Sequence, residues 1–455
     1  MSAERHTGLP LNRQFARALH QHQAFSPADL EKAAYCLLDF LACAYATRHF
    51  TWVKQAKEVA WQNSGADSGA RLLGTPRFVS AQDAAFANAV AGHSLVRDDM
   101  HLGSVSHLGV VVIPAALAMA SMTPCSGTTL LHAVVCGYEA GGRLGALLMD
   151  VETARKVRPT GLIGAYAAAA TCVRLAGLDE TQTANALGFA SNYITGLNEW
   201  ASWGSEDMYF HPGIAARNGM TAMQLARAGA TAAAGALDGA AGLFAALDKD
   251  IPASPALPFA DTAEIERVFF KQVPACNYAQ TAAQVARQRH ETLHKALKGA
   301  SDAIAAIEVR VPYAAAHYPG CDYAGPFSSI LQARMSIHFN VASALLHGDF
   351  HDSHYQAYAD EAVAALAKRV KVRVDDKLTA AYPTCQGASI SVQLKSGEKI
   401  EAILPDVLAA SQDDVTSRFL EAAAEAIGPD QAETLKTIVL SLADQDTPEA
   451  LLNSL

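Results

Sequence analysis

From about Ser26 to Leu247 the chain is rich in alanine and glycine, with apolar residues at helical spacing. That stretch constrains the fold more than any single motif. Helices with small apolar faces can approach one another closely, so they build a many-helix globular unit. Ser26-Pro27-Ala28-Asp29 places a capping serine before a proline at the first helical position, which predicts a helix through Leu41. Ser80 and Asp83 repeat the device ahead of a helix to about His93. Further helices are predicted over 114–122, 128–149, 162–176, 180–191 and 215–234.

The pattern changes where Pro252, Pro255 and Pro258 fall close together, the best linker candidate in the chain. Beyond it, residues 303–311, 370–374 and 389–394 alternate apolar and polar side chains with period two and predict strands. Residues 395–399 read as a hairpin turn into a strand over 400–404, with helices over 278–290 and 328–346 between the strands. After Pro405 two more helices are predicted, over 415–427 and 430–442. The expected class is therefore mainly α. A large all-helical domain (1–255 and 405–455) is joined to a smaller α+β domain (260–404).

Composition narrows the class. At 51% hydrophobic and 18% charged the chain can bury enough surface to order itself. Its most apolar runs, 110–121 and 162–175, are too short and too interrupted to cross a membrane. A net charge of −10 with no basic run argues against nucleic acid. None of the eight cysteines forms a CxxC pair, and most sit in apolar runs, as buried thiols in a reducing compartment do. Residues 1–21 carry no apolar signal core, so the expected location is cytoplasmic.

No P-loop, strand-associated GxGxxG, GxSxG or HExxH occurs, and no metal or cofactor is called for. Four polar clusters at segment junctions remain. The first gathers His93, Arg97, Asp98, Asp99, His101 and His107 just before an apolar helix. A histidine there can act as a general base near neutral pH. Taken singly, each of these residues reads more readily as a helix-capping carboxylate or a structural histidine. The second, Arg155, Lys156 and Arg158 ahead of Pro159-Thr160-Gly161, makes either a carboxylate pocket at a helix start or a solvated basic loop. The third is His211-Pro212-Gly213, followed by Arg217. The fourth runs from Lys271 through Pro274 and Cys276 to Tyr278; its lysine can hold an anion or lie on the surface.

In order along the chain, these segments resemble the MmgE/PrpD family. That family includes 2-methylcitrate dehydratases, cis-aconitate decarboxylases and iminodisuccinate epimerases. The resemblance rests on 37–44, Gly92-His93-Ser94, Asp98-Asp99, His107-Leu108-Gly109, Ile113-Pro114, Gly137-Tyr138-Glu139, Arg158-Pro159-Thr160-Gly161, His211-Pro212-Gly213 and Lys271 with Pro274. It implies a helical domain completed by the C-terminal helices and an inserted α+β lid, in a homodimer that acts on a small polycarboxylate. The departures are Val96 for an acidic residue, Val157-Arg158 in a Phe-His-Pro motif, Met208 for a lysine, Cys276 for a histidine and Phe339 for a tyrosine.

A pocket that has lost acids and gained Arg158 suits proton exchange next to a carboxylate better than expulsion of hydroxide. The resemblance thus points to the epimerase branch, with iminodisuccinate or a similar substrate. His107 is expected as one base and Lys271 or His211 as the other; Arg97 and Arg158 would clamp carboxylates. Asp98, His101 and Cys276 complete the expected substrate contacts. The competing readings are a 2-methylcitrate dehydratase-like lyase with Asp99 or a displaced histidine as its acid, a decarboxylase, and a silent anion-binding relative.

Overall fold

A computed structural model describes residues 8–297 and 303–455. The chain divides into two compact units. The first comprises residues up to Gly196, Asp207–Phe270 and Ser411–Leu455; the second comprises Leu197–Glu206 and Lys271–Ala410.

Helices dominate the first unit. Those that matter here are α1 (Pro27–Ala46), α2 (Ala81–His93), α3 (Gly109–Ala120), α4 (Gly127–Leu148), α5 (Pro159–Leu175) and α6 (Asp207–Arg227). The C-terminal helices α7 (Gln412–Ile427), α8 (Pro429–Leu440) and α9 (Glu449–Ser454) return to the same unit. The Ser26 and Asp29 side chains form a capping box at the start of α1, and Ser80 caps α2, both where the sequence places them. The alanine run of α5 is fully buried, and α4 and α6 pack along it. Small side chains therefore do here what their spacing predicts.

Two helices begin earlier than expected. The sequence predicts starts at Pro114 and at residue 215, yet Pro114 and Pro212 each occupy the sixth position inside a helix. Every residue of α3 is buried. Burial of a whole apolar helix outweighs the roughly 3 kcal/mol that an internal proline costs. The consequence is functional: Asp207, Met208 and His211 become helical.

The first unit also holds two short ribbons that a purely helical expectation omits. β1 (Ala70–Arg71) pairs with β2 (Phe78–Val79), and β3 (Met100–His101) pairs antiparallel with β4 (Val268–Phe269). The β3–β4 pairing keeps the chain in the first unit through Phe270, well past the three prolines. No helix among the described residues is long and apolar enough to cross a membrane.

In the second unit, β5 (Ile304–Val311), β6 (Val370–Val374), β7 (Ala388–Leu394) and β8 (Lys399–Leu404) form one sheet in the order β6-β5-β7-β8. Only β5 and β6 are parallel. β7 alternates buried and half-buried residues throughout, the period-two signature of a strand covered on one face. Helices Gln280–Arg287 and Ile337–His347 pack against each other, and the former packs against β7.

Candidate active site

The first polar cluster folds into a loop between α2 and α3. α2 ends at His93, and Ser94 is held by the Trp52 indole N–H at 2.8 Å. Val96 and Val105 then adopt left-handed backbone conformations, φ 56° and 51°. A β-branched residue resists that region, at a cost on the order of 1–3 kcal/mol. Val96 is buried, and its burial offsets that cost.

The turn brings two histidines onto one carboxylate. Asp98 Oδ2 lies 2.9 Å from His93 Nδ1 and 2.9 Å from His107 Nδ1. The ring centroids are 5.0 Å apart. On the far side of His93, Arg158 Nη2 is 2.7 Å from Nε2. A guanidinium only donates, so Nε2 of His93 must accept and its proton must sit on Nδ1, toward Asp98. His93 is therefore neutral. His107 Nδ1 faces two acceptors, Asp98 Oδ2 and the Asp99 carbonyl at 3.0 Å, so it too carries hydrogen. Neutral His107 accordingly holds its lone pair on Nε2. The His107 backbone N–H donates to Thr160 Oγ1 at 3.0 Å, which fixes the loop to the first turn of α5.

Asp98 is 1% exposed. Burial alone would push its carboxyl up, but the two imidazoles it binds hold it well below the usual carboxylate range. A buried anion with an imidazole donor is the arrangement that makes histidine a stronger base and stabilises the imidazolium formed on proton uptake. Asp98, His93 and His107 also offer one donor atom each within 4.8 Å of one another. A cation there would displace both N–H···O bonds beside the Arg158 guanidinium, so the set fits a hydrogen-bonded triad better than a metal centre.

His211 lies beside this triad on α6. It is buried, and burial, with Arg158 adding, lowers its pKa to about 4, so it is neutral near pH 7. Gly196, with φ 88°, sits against it: a β-carbon there would be 2.6 Å from His211 Nδ1 and 3.1 Å from Arg158 Cβ. The Gly196 carbonyl accepts the Arg158 backbone N–H at 2.9 Å. Met208 Sδ is 3.2 Å from His93 Nε2.

The other expected site residues separate. Asp99 turns its carboxylate away from the histidines. It accepts the Tyr138 hydroxyl and, at 3.1 Å, the Gly109 N–H at the start of α3. It therefore positions the loop, and its backbone carbonyl is what reaches His107. His101 is bound to Glu264 Oε2 at 2.6 Å and to Ser104 Oγ at 2.8 Å, so it ties β3 to the turn ahead of β4. Arg97 is half-buried, with its charge acting on Asp39. Of the three cations in the second cluster only Arg158 is buried; Arg155 pairs with Glu152 on the surface and Lys156 is exposed.

Lys271 and Cys276 belong to the second unit. Lys271 is fully buried and donates to the Ala275 carbonyl at 3.3 Å; Cys276 Sγ is 3.7 Å from Cys321 Sγ. Their roles as second base and substrate contact stay expectations of the sequence. His93 stood in the first candidate cluster but received no catalytic or substrate role there. Its signal was its place at the end of a helix, in Gly92-His93-Ser94, five residues before Asp98.

Burial raises the Asp99 carboxyl to about 7, against the Tyr138 hydrogen bond, with the charges of Asp39 and Asp98 adding to the rise. In the unfolded chain it titrates near ~4. The folded state thus holds a proton that the unfolded state releases, and stability falls as pH rises from about 4 through about 7. Asp99→Asn is expected to flatten this slope. Urea unfolding at about pH 5 and about pH 8 should show the native chain losing on the order of 1–3 kcal/mol more than the variant.

The sequence matches the MmgE/PrpD N-terminal domain over residues 13–255 and the MmgE/PrpD C-terminal domain over residues 273–444. It is 31% identical over 212 residues to a cis-aconitate decarboxylase-like protein of Aspergillus oryzae, covering 45% of this chain and 44% of that one. It is 29% identical over 227 residues to cis-aconitate decarboxylase of Aspergillus terreus, covering 48% and 46%. The match thus spans somewhat less than half the length of these relatives. One is named a decarboxylase and the other a decarboxylase-like protein, and the expected epimerase branch finds no support in them.

Proposed function

Because the chain belongs to the MmgE/PrpD family, we propose that it is a lyase that decarboxylates a small polycarboxylic acid, with His107 as the group that moves the proton. The observation that carries this reading is the pair of imidazoles on Asp98, one of them held neutral by Arg158. Arg158 is the cation for a substrate carboxylate, and Asp98 supports His107 as it gains and returns a proton. When carbon dioxide leaves, the electron pair of the broken bond stays on the substrate and takes a proton from His107, which has first taken that proton up from water. Within the first unit His93 is held neutral by Arg158 and His211 by burial, so protonated His107 is the acid for either lyase reaction. The names of the relatives favour decarboxylation over dehydration.

Proton NMR in heavy water, with carbon dioxide measured in parallel, tests the reading on cis-aconitate, 2-methylcitrate and iminodisuccinate in separate samples. Release of carbon dioxide from cis-aconitate, with one deuteron per product molecule, is expected. Olefinic signals from 2-methylcitrate without carbon dioxide would replace it with dehydration. Loss of the iminodisuccinate α-proton alone would replace it with epimerisation.

A further inference from the structure

A cavity of about 690 Å³ opens in the first unit, bounded by the β1–β2 ribbon, the C-terminal end of α3 and α9. It shares no lining residue with the histidine triad. Its size falls in the range of small-molecule sites. Phe78, Leu117, Met122 and Leu452 give it apolar walls, and Arg71 is the only cation among its lining residues.

Arg71 is placed unusually for an arginine. Its guanidinium carbon is 4.8 Å from the Phe78 ring centroid, across the β1–β2 pair. Its Nε is buried with no hydrogen-bond partner, and among the described residues no carboxylate pairs with it. Tyr45, 1% exposed, lies close enough for the Arg71 charge to act on its phenol, and that hydroxyl is also buried without a partner. Arg71 thus brings to the cavity wall a guanidinium that no carboxylate among the described residues neutralises. Such a charge is costly to leave unpaired, and an anion in the cavity supplies the partner.

We propose that this cavity is a second binding site, for a small amphipathic monocarboxylate. The carboxylate pairs with Arg71, and the hydrocarbon body lies against Leu117, Met122 and Leu452. Asp446 and Glu449, both exposed, also line the cavity. They repel a second negative charge, so the site selects monoanions over the polycarboxylates assigned to the histidine triad.

Isothermal titration calorimetry of the whole chain with hexanoate, hexanamide and citrate tests this. Hexanoate is expected to bind saturably, one per chain, with hexanamide and citrate at least about tenfold weaker. Arg71→Gln should weaken hexanoate by at least about tenfold, and Met122→Trp, which fills the cavity from its exposed edge, should weaken it as well. His107→Gln should leave it unchanged. Absence of saturation, or equal affinity for hexanoate and hexanamide, overturns the proposal whether or not either cavity variant folds. Binding that disappears in His107→Gln and persists in Arg71→Gln overturns it too, by assigning the ligand to the triad.

Discussion

Replacement of His107 by glutamine is expected to slow turnover of a polycarboxylate substrate by about 10²–10⁴-fold, the usual contribution of a positioned proton-transfer group. Glutamine keeps an N–H that can reach the Asp98 carboxylate, whose Oδ2 lies 2.9 Å from His107 Nδ1 in the native chain. It has no nitrogen that exchanges protons near neutral pH. The loss should therefore fall on kcat, with KM changing little, because Arg158 and its bond to His93 are untouched. Asp98→Asn should produce a loss of similar size by another route. The two imidazoles then share a neutral amide, and no buried anion remains to stabilise the imidazolium. Steady-state kinetics on the two variants separates the roles. Near-native kcat in His107→Gln would remove His107 from the mechanism.

Gly196→Ala should be costly, because the added methyl group presses directly on His211 and Arg158. The new carbon would meet the His211 ring at 2.6 and 2.9 Å and Arg158 Cβ at 3.1 Å, on a backbone with φ 88°. None of these contacts is with the loose end of a flexible chain. The ring is buried, and Arg158 is anchored through its backbone N–H to the Gly196 carbonyl. Strain and overpacking together are expected to cost about 2–4 kcal/mol in denaturant unfolding. Turnover should fall as well, since Arg158 sets the protonation of His93. Gly177→Ala is the control: it also has a left-handed backbone, φ 62°, but nothing lies within 4 Å of its added carbon. It should lose only about 1–2 kcal/mol and keep full activity. Equal losses in the two variants would show that backbone strain, and not the contact with His211, sets the cost.

Much of the helical framework was legible because its signals are local. A serine three residues before a carboxylate caps α1, and the same spacing starts α2. The alternation of β7 declares a strand with one covered face. The internal prolines of α3 and α6 were misread for the same reason. A local rule makes proline a helix start, whereas burial across the whole helix, which no short window contains, decides otherwise. The site shows the contrast more sharply. His93 and His101 stand in one short segment with similar neighbours, yet one faces Asp98 and Arg158 and the other faces Glu264.

By itself the sequence determined the order of motifs that marks the family, the helical class of the larger unit and the short segments in which the chemistry had to lie. Tertiary structure decided which residue does what. Asp98 and Asp99 are adjacent and chemically identical, but the bend ahead of β3 gives their side chains different neighbours. One carboxylate therefore meets two imidazoles and stays ionised, while the other meets Tyr138 in the core and is raised to about 7. Protonation state and tautomer depend on the partner and on the depth of burial. For His93 the deciding partner is Arg158, 65 residues away in the chain and 2.7 Å away in the fold.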